Sequence, residues 1–451
     1  VGGINIVNML VVSPMKKTKM SADSGRVGTL SFVHAADLHL DSPFTGISGI
    51  DPELGERLAK ATFQAYEAII ELCMDEEVDF LLIGGDVYDS ADKSLYAQVR
   101  FIEGLRKLET VGIQVFICHG NHDPLDGWSA SLTWPGNVHI MSGDGAEVVE
   151  FKKKGETAAF VVGMSYPTRY IMKNLVKNFP RKGDNWPFTI GLLHCSVGSN
   201  PEHDPYAPCT LQDLRDLNYD YWALGHIHTP SIVCKEAPVV IYPGNPQGRH
   251  PGETGPRGCF VVGVSSGGDL STRFIETDSV RWNIREISIE GLEKEGELIE
   301  SLQSQLDDVR ENSGGKSAIC RFVLKGRGPL HHTLRQEGFL EDLLHLLRED
   351  EIRSRQFIWV ERIENETLFP VERELLLKRE DFVGDLVKIV ESLKTDEKTG
   401  DEFREILSSL FDSRNGKKHI ARIDDEEMNS LFQRAENILL DALLTEEDNE
   451  N

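Results

Sequence analysis

From about residue 29 onward, short apolar runs alternate with stretches of helical period. LSFVHAAD reads as a strand. ELGERLAKATFQAYEAIIELCMDEE reads as one helix, with Leu58, Tyr66, Ile69 and Ile70 among its apolar positions. VDFLLIGGD is a buried strand, SLYAQVRFIEGLRKLETVG a second helix, and IQVFICHGNHD a strand running into a loop. This βαβαβ order predicts a layered α/β domain. Farther on, VHIM, AAFVVGMS, FTIGLLHC, YDYWALGHIH, APVVIYPGN and GCFVVGVS read as strands with little helix between them, a pattern that suits two packed sheets flanked by helices.

ETDSVRWNIREISIEG predicts the last strand of this domain and the passage into another. Between about 284 and 360 the pattern is strand, helix, strand, helix, strand, with the loop ENSGGKS between LIESLQSQLDDVR and AICRFVL. That is a small α/β module. From about 372 the chain is mostly helical, with three apolar stripes. They are Phe382, Val383, Leu386, Val387, Val390 and Leu393; Phe403, Ile406, Leu407, Leu410 and Phe411; and Leu431, Phe432, Ala435, Ile438 and Leu439. They are expected to form core, with a partner-docking face as the alternative. The expected division is a flexible extension over 1–28, a catalytic domain over 29–281, a small α/β domain over 282–362 and a helical region over 363–451.

The 451 residues suffice for two or three domains with real cores. No uninterrupted apolar run approaches membrane-spanning length, so no membrane association is expected. In the first 28 residues a short apolar patch precedes MKKTKM, the reverse of a signal peptide's order. The seven cysteines contain no CxxC pair and several fall in apolar strands, which predicts reduced, buried thiols and a cytoplasmic location. A net charge of -26 is the opposite of what a protein gripping long nucleic acid alone displays. If nucleic acid is the substrate, a local basic strip or a partner has to supply the attraction.

The chemistry gathers after the strands. Asp37 and His39 follow the first, Asp86 the second, Asn121 and His122 the third; His194 ends GLLHC's apolar run, and His226 and His228 close ALGHIH. A single strand-terminal histidine is commonly a loop residue, but a whole series at strand ends, where an α/β sheet collects its site, predicts a metal centre. Imidazole, carboxylate and amide donors suit manganese, iron or zinc. Two such ions bridged by one carboxylate lower the pKa of a bound water and clamp the oxygens of a phosphate ester.

The ordered blocks DxH, GGDxxD, GNHD, a strand-terminal His and GHxH resemble the calcineurin-like metallophosphoesterase superfamily. DLHLDSPF, GNHDP, ALGHIH and YPGNPQGRH resemble its DNA-repair exonuclease branch, the SbcD-like nucleases, and within it the shorter bacterial YhaO-like proteins. The resemblance is good over roughly 30–275 and weak beyond. It implies a four-layer sandwich of two β-sheets flanked by helices, a small α/β cap and a helical C-terminal region. It further implies a first metal on Asp37, His39 and His228, a bridging Asp86, and a second metal on Asn121, His194 and His226, the ions most naturally Mn²⁺. His122 would act on the scissile phosphate.

Asp89 stands where superfamily phosphatases keep an aspartate to orient that histidine and where SbcD-like enzymes more often have a histidine. Asp123 is the alternative orienting group. Asp41 is a candidate for an outer water, and the loop carrying Asn245, Gln247, Arg249 and His250 borders the site in the resembling nucleases, with Arg249 a candidate phosphate contact. Trp128 and Trp134 are expected to pack their loop, with base stacking as the alternative.

The reading is a two-metal phosphodiesterase acting on DNA. Its implied partners are DNA, a coiled-coil ABC-type ATPase of the SbcC kind docked on the C-terminal helices, and a second copy of the chain. The competing readings are a phosphatase or phosphodiesterase of nucleotides or other small esters, and a non-enzymatic scaffold.

Overall fold

The computed structural model describes residues 30–44, 47, 52–89, 94–198, 206–349, 351, 354–371, 373–395, 403, 406–407 and 425–444. The extension expected over 1–28, Leu410 and Phe411 of the middle stripe, and the acidic tail after Leu444 lie outside the described residues. Two compact units form. One takes the described residues up to 283 with 310–319 and 351–361; the other takes 284–309, 320–350 and those from 362 onward.

In chain order the elements up to the third sheet are β1 (Leu30–Ala35), α1 (Pro52–Ala59), α2 (Ala61–Asp75), β2 (Phe80–Gly84), α3 (Leu95–Thr110), β3 (Gln114–Cys118), β4 (Val138–Ile140), β5 (Glu147–Lys153), β6 (Glu156–Met164), β7 (Phe188–His194), α4 (Leu211–Arg215), β8 (Tyr221–Gly225), β9 (Ser231–Cys234), β10 (Val239–Tyr242), β11 (Gly258–Val264), β12 (Leu270–Glu276) and β13 (Val280–Ser288). The expected single first helix is two, interrupted at Lys60, which stays in the helical region of φ and ψ. Both pieces bury the predicted positions Leu58, Tyr66, Ile69 and Ile70. α3 starts where Ser94 accepts a hydrogen bond from the Ala97 amide, a helix N-cap.

Two six-stranded sheets result, in the orders β12-β11-β1-β2-β3-β4 and β5-β6-β7-β8-β10-β9. Phe32, Phe80, Leu82 and Phe116 of the first pack against Val161, Ile190, Leu192, Tyr221 and Ala223 of the second. The alternate residues Val33, Leu81, Ile83 and Val115 face Tyr66, Ile69 and Ile70 of α2 and Phe101 and Leu105 of α3. On the far side, Leu193, Trp222 and Leu224 face Leu175, Val176, Phe179 and Leu214. Central strands are therefore buried on both faces, which is why they read as unbroken apolar runs. The first sheet runs parallel from β1 through β4, and β6, β7, β8 and β10 are parallel in the second. Parallel pairing brings the carboxyl ends of each set to one edge.

The later elements are α5 (Glu295–Asn312), β14 (Ser317–Lys325), α6 (Leu330–Leu334), α7 (Phe339–Arg348), β15 (Ile358–Asn365), α8 (Arg373–Leu376), α9 (Phe382–Thr395) and α10 (Asp425–Leu443), with a third sheet in the order β13-β14-β15. The predicted alternation of strand and helix between 284 and 360 is present. In the C-terminal helices the stripes need correction. α9 buries Val383, Val387 and Val390 but leaves Phe382 70% exposed, and α10 buries Met428, Phe432, Glu436 and Leu440 rather than Leu431, Ile438 and Leu439. Glu436, with Gln433 at 3.0 Å and Lys394 at 3.6 Å, is a buried polar residue inside the packing face, and it masks the true i, i+4 row. Among the described residues no helix is long and apolar enough to cross a membrane.

Candidate metal centre

The residues that follow β1, β2, β3, β7 and β8 converge. Asp37 N–H donates to the Gly85 carbonyl at 2.9 Å and His39 N–H to that of Asp86 at 3.0 Å, so the first two loops are zipped together. The chain bends sharply there: Asp37, His39, Asp86 and His226 have φ of 53°, 42°, 50° and 102°. Such φ values are sterically disfavoured for non-glycine residues and persist only where surrounding contacts enforce them. The sheets nearly touch at this edge, since a Cβ on Gly225 would lie 2.0 Å from the Gly84 carbonyl oxygen. Gly120 is equally constrained, because a Cβ there would lie 2.3 Å from Asp86 Oδ1.

Among the described residues three clusters of donor atoms follow, one of His39, Asp89 and His122 and two that share Asp37. Of these two, Asp37, His39 and His228 form the first, and Asp37, Asp86 and His194 the second. In the first, His39 Nε2 lies 3.2 Å from His228 Nε2. Each ring's other nitrogen meets a carboxylate: His39 Nδ1 is 2.9 Å from Asp89 Oδ1, and His228 Nδ1 is 2.6 Å from Glu253 Oε1. An ionised carboxylate only accepts, so His228 Nδ1 carries its proton; His39 Nδ1 stands at ion-pair distance from Asp89 without hydrogen-bond geometry, and the two Nε2 atoms face one another. Two nitrogens each about 2.1 Å from one tetrahedral ion stand roughly 3.4 Å apart, so this pair fits a shared divalent cation. In the second cluster His194 Nδ1 donates to the Gly84 carbonyl at 2.9 Å. His194 Nε2 then donates to Asn121 Oδ1 at 3.0 Å and faces Asp86 Oδ2 at 3.3 Å; with that proton displaced, the nitrogen and the two oxygens are acceptors turned to one point. Both donor sets fit borderline or hard divalent ions.

The charges are tightly coupled. Burial opposes ionisation of Asp86, but His194, His39 and His122 outweigh it and hold the carboxyl well below its ordinary range. Burial also disfavours a charged His194, yet Asp86 and Asp37 push its pKa up to about 9. Burial raises Asp37, with His194 and His228 pulling it back. His39 is lowered to about 3 by burial and then by Arg249, so its ring is neutral, as a metal ligand must be.

His122 stands beside the two clusters that share Asp37, its ring 5.0 Å from that of His39 and edge-on to it. Its amide donates to Asp86 Oδ1 at 2.9 Å. Its Nδ1 donates to the backbone carbonyl of Asp89 at 2.8 Å, whereas the Asp89 carboxylate is 3.9 Å away and engaged with His39 and Arg249. Asp89 thus meets His122 through its main chain. Asp123 is a buried bracket rather than a surface carboxylate: it accepts from Gly120 N and Val87 N and lies 3.1 Å from His119 Nδ1. His226 does not join any of the donor clusters by its ring, which lies 5.3 Å from that of His194; its amide donates to both Asp37 oxygens.

Asp41 is exposed, and its amide donates to Thr62. Gln247 is buried and ties its loop to Ser279 and Val280, and Asn245 is held by Arg257. His250 lies 3.3 Å from Glu253. Trp134 packs edge-on against Phe101, as expected of a packing residue, while Trp128 is 53% exposed. Glu253 escaped the sequence reading. Its only signal was a carboxylate three and four residues after His250 and Arg249, indistinguishable in sequence from a surface glutamate.

Comparison with known proteins agrees with this geometry. Residues 30–230 match the profile described as calcineurin-like phosphoesterase, and residues 282–368 that described as metallophosphoesterase YhaO, middle domain. The chain is 35% identical over 411 residues to the uncharacterized metallophosphoesterase YhaO of Bacillus subtilis (strain 168), covering 91% of this chain and 97% of that protein. It is 20% identical to the SbcD component of nuclease SbcCD from the same organism, over 75% of this chain and 91% of the relative. It is 27% identical to the DNA double-strand break repair protein Mre11 of Aeropyrum pernix, over 47% of this chain and 52% of the relative. With donor clusters at the strand ends and a relative of this identity along nearly its whole length, the chain belongs to the calcineurin-like metallophosphoesterase family, hydrolases of phosphoester bonds.

Proposed function

We propose that this phosphoesterase is a nuclease that hydrolyses phosphodiester bonds of DNA, using two divalent ions, Mn²⁺ being the best fit to the donors. The single observation that carries the reading is the pairing of two donor clusters through Asp37 with a histidine, His122, held at their edge. Asp37, His39 and His228 would hold one ion and His194, Asp86 and Asn121 the other, with Asp37 common to the two clusters and His226 contributing its amide to Asp37 rather than its ring to a metal. Bound there, the ions supply Lewis acidity, which activates water and offsets charge on the phosphoryl oxygens.

The chain's own groups do the rest. The Asp89 carbonyl fixes Nδ1 of His122 as a donor and leaves Nε2 for the substrate. Protonated, that nitrogen stabilises the charge growing on phosphorus and hands its proton to the departing sugar oxygen. Nothing covalent forms with the protein, and the seven described cysteines are buried and form no disulfide, in keeping with a cytoplasmic protein.

The DNA assignment draws on the nuclease and double-strand-break-repair relatives. So does the partner: an ATPase of the SbcC kind, taken up by the helical region 363–451, with the 282–362 segment bearing on substrate choice. Phe382, Ile389 and Ile438 are each more than half exposed on α9 and α10, a surface ready for an apolar partner. The ATPase would also bring the basic surface that a chain of net charge -26 needs from elsewhere. A homodimer belongs to the same proposal.

A second reading, a phosphatase or phosphodiesterase of small esters, is favoured by Asp89, which follows the phosphatase pattern. End-labelled linear DNA incubated with the Mn²⁺-loaded chain separates the two. The proposal expects shortened DNA with the wild type and intact DNA with His122→Ala or a chelator. Intact DNA beside rapid hydrolysis of a small phosphodiester moves the assignment to the second reading.

A further inference from the structure

Resting on the metal-centre reading above, we propose that Arg249 is a positioning residue for the first ion's two histidines and not a contact for substrate phosphate. The side chain is buried at 8% exposure. Its Nη1 donates to Asp89 Oδ1 at 2.9 Å and to Ser42 Oγ at 2.6 Å. Its own amide donates to Glu253 Oε2 at 2.7 Å, and its Nη2 lies 3.9 Å from Glu253 Oε1. Those two carboxylates are the ones set against the Nδ1 atoms of the two histidines: Asp89 at an ion-pair distance of 2.9 Å from His39, and Glu253 hydrogen-bonded to His228 at 2.6 Å. One residue therefore braces both carboxylate–histidine pairs, from opposite ends of its own structure: the guanidinium serves Asp89 and mainly the main chain serves Glu253.

The arrangement has a clear physical purpose. Two bare Nε2 atoms 3.2 Å apart repel unless a cation lies between them, and each ring is free to turn or shift its proton unless its other nitrogen is held. Glu253, buried, and Asp89, partly exposed, stand against those nitrogens, but carboxylates gathered beside Asp37 and Asp86 repel one another. The Arg249 charge offsets that repulsion, and its planar fork fixes direction as well as charge. His39, Asp89 and His122 also have donor atoms close enough to resemble a third metal cluster. The guanidinium at 2.9 Å from Asp89 already supplies a cation there, which removes the need for a metal ion. Arg249 Nε is buried and has no hydrogen-bond partner among the described residues, and a phosphate oxygen is what it would take on the competing view.

Mn²⁺ titration calorimetry of the full chain, paired with KM for bis(4-nitrophenyl) phosphate at saturating Mn²⁺, separates the two roles. The proposal expects Arg249→Gln to weaken one Mn²⁺ site about 10–100-fold, the usual effect of losing an outer partner of a metal ligand, and to leave the other site and KM nearly unchanged. The weakened site should be the one lost in His228→Ala and kept in His194→Ala. Arg249→Lys should restore part of the affinity. If Arg249→Gln does not fold, Ser42→Ala, which removes one hydrogen-bond partner of the guanidinium, should weaken the same site by a smaller factor. A tenfold rise in KM with an unchanged Mn²⁺ isotherm overturns the proposal and makes Arg249 a substrate contact. Wild-type protein that binds no Mn²⁺ overturns the metal centre together with it.

Discussion

The carboxyl edge of the parallel strands and the α9–α10 pair solve opposite problems. At the strand edge Asp37, His39, Asp86, Asn121 and His194 are all buried, and their polar atoms are matched against one another with short contacts and unfavourable φ angles. On α9 and α10 the polar residues are mostly outside, yet Phe382, Ile389 and Ile438 lie in water although an apolar core of Phe369, Val383, Val387 and Leu440 is close by in the same unit. Polar groups buried at a cost in one region, and apolar groups exposed at a cost in the other, are each what function retains against stability. The first is the candidate site for chemistry, and on the reading proposed above the second serves association.

The sharpest way to break that contrast is Asp86→Asn. Asp86 faces His194 and the His122 amide, so its loss should lower phosphodiester turnover on the order of 10³-fold and release bound metal. Turnover of bis(4-nitrophenyl) phosphate and metal content by mass spectrometry check both halves; near-normal turnover would refute the role. Next in size is Gly225→Ala. The added methyl meets the Gly84 carbonyl, and about 3 kcal/mol of stability should disappear, read as a lower denaturant midpoint.

His34 gives a pH-dependent prediction. It is fully buried between Tyr221 and the Leu224 carbonyl, and burial lowers its pKa to about 3, against an ordinary value of 6.5. Below pH 6.5 the unfolded chain takes up a proton that the folded chain refuses, so His34 makes stability fall as pH drops from 6.5 towards 3. His34→Gln, which can keep both hydrogen bonds, should therefore lose less stability on acidification, by about 2 kcal/mol at pH 5. Equal acid sensitivity of the two proteins in urea titrations counts against this. Smallest of all, Ile438→Ser should change stability by less than about 0.5 kcal/mol, because its side chain is 69% exposed. A large loss of stability there would mean the face is core after all.

The same contrast governs what the sequence could disclose. Strands buried on both faces, such as FLLIG and YWALG, announce themselves as apolar runs, and the donor-cluster residues stand right behind them. Position after an apolar strand therefore singles out Asp37, His39, Asp86, Asn121, His194 and His228, which the fold brings to one edge, while the sharing of them between two ions comes from the family resemblance. The edge strands β5, β9 and β12 were not, because their half-exposed faces carry Glu, Lys, Ser and Arg and show little apolar character. Glu253 and the inward turn of Arg249 depend on the path of a loop between β10 and β11, which no periodicity encodes. The α10 register failed for a third reason: buried Glu436 reads as a surface residue, while exposed Ile438 reads as core.

The most direct measurement is anomalous diffraction from crystals of the chain soaked in Mn²⁺. The account predicts two peaks, one between His39 Nε2, His228 Nε2 and Asp37, the other between His194 Nε2, Asp86 and Asn121. Peaks elsewhere, or none at this edge in protein that hydrolyses phosphodiesters, would contradict it.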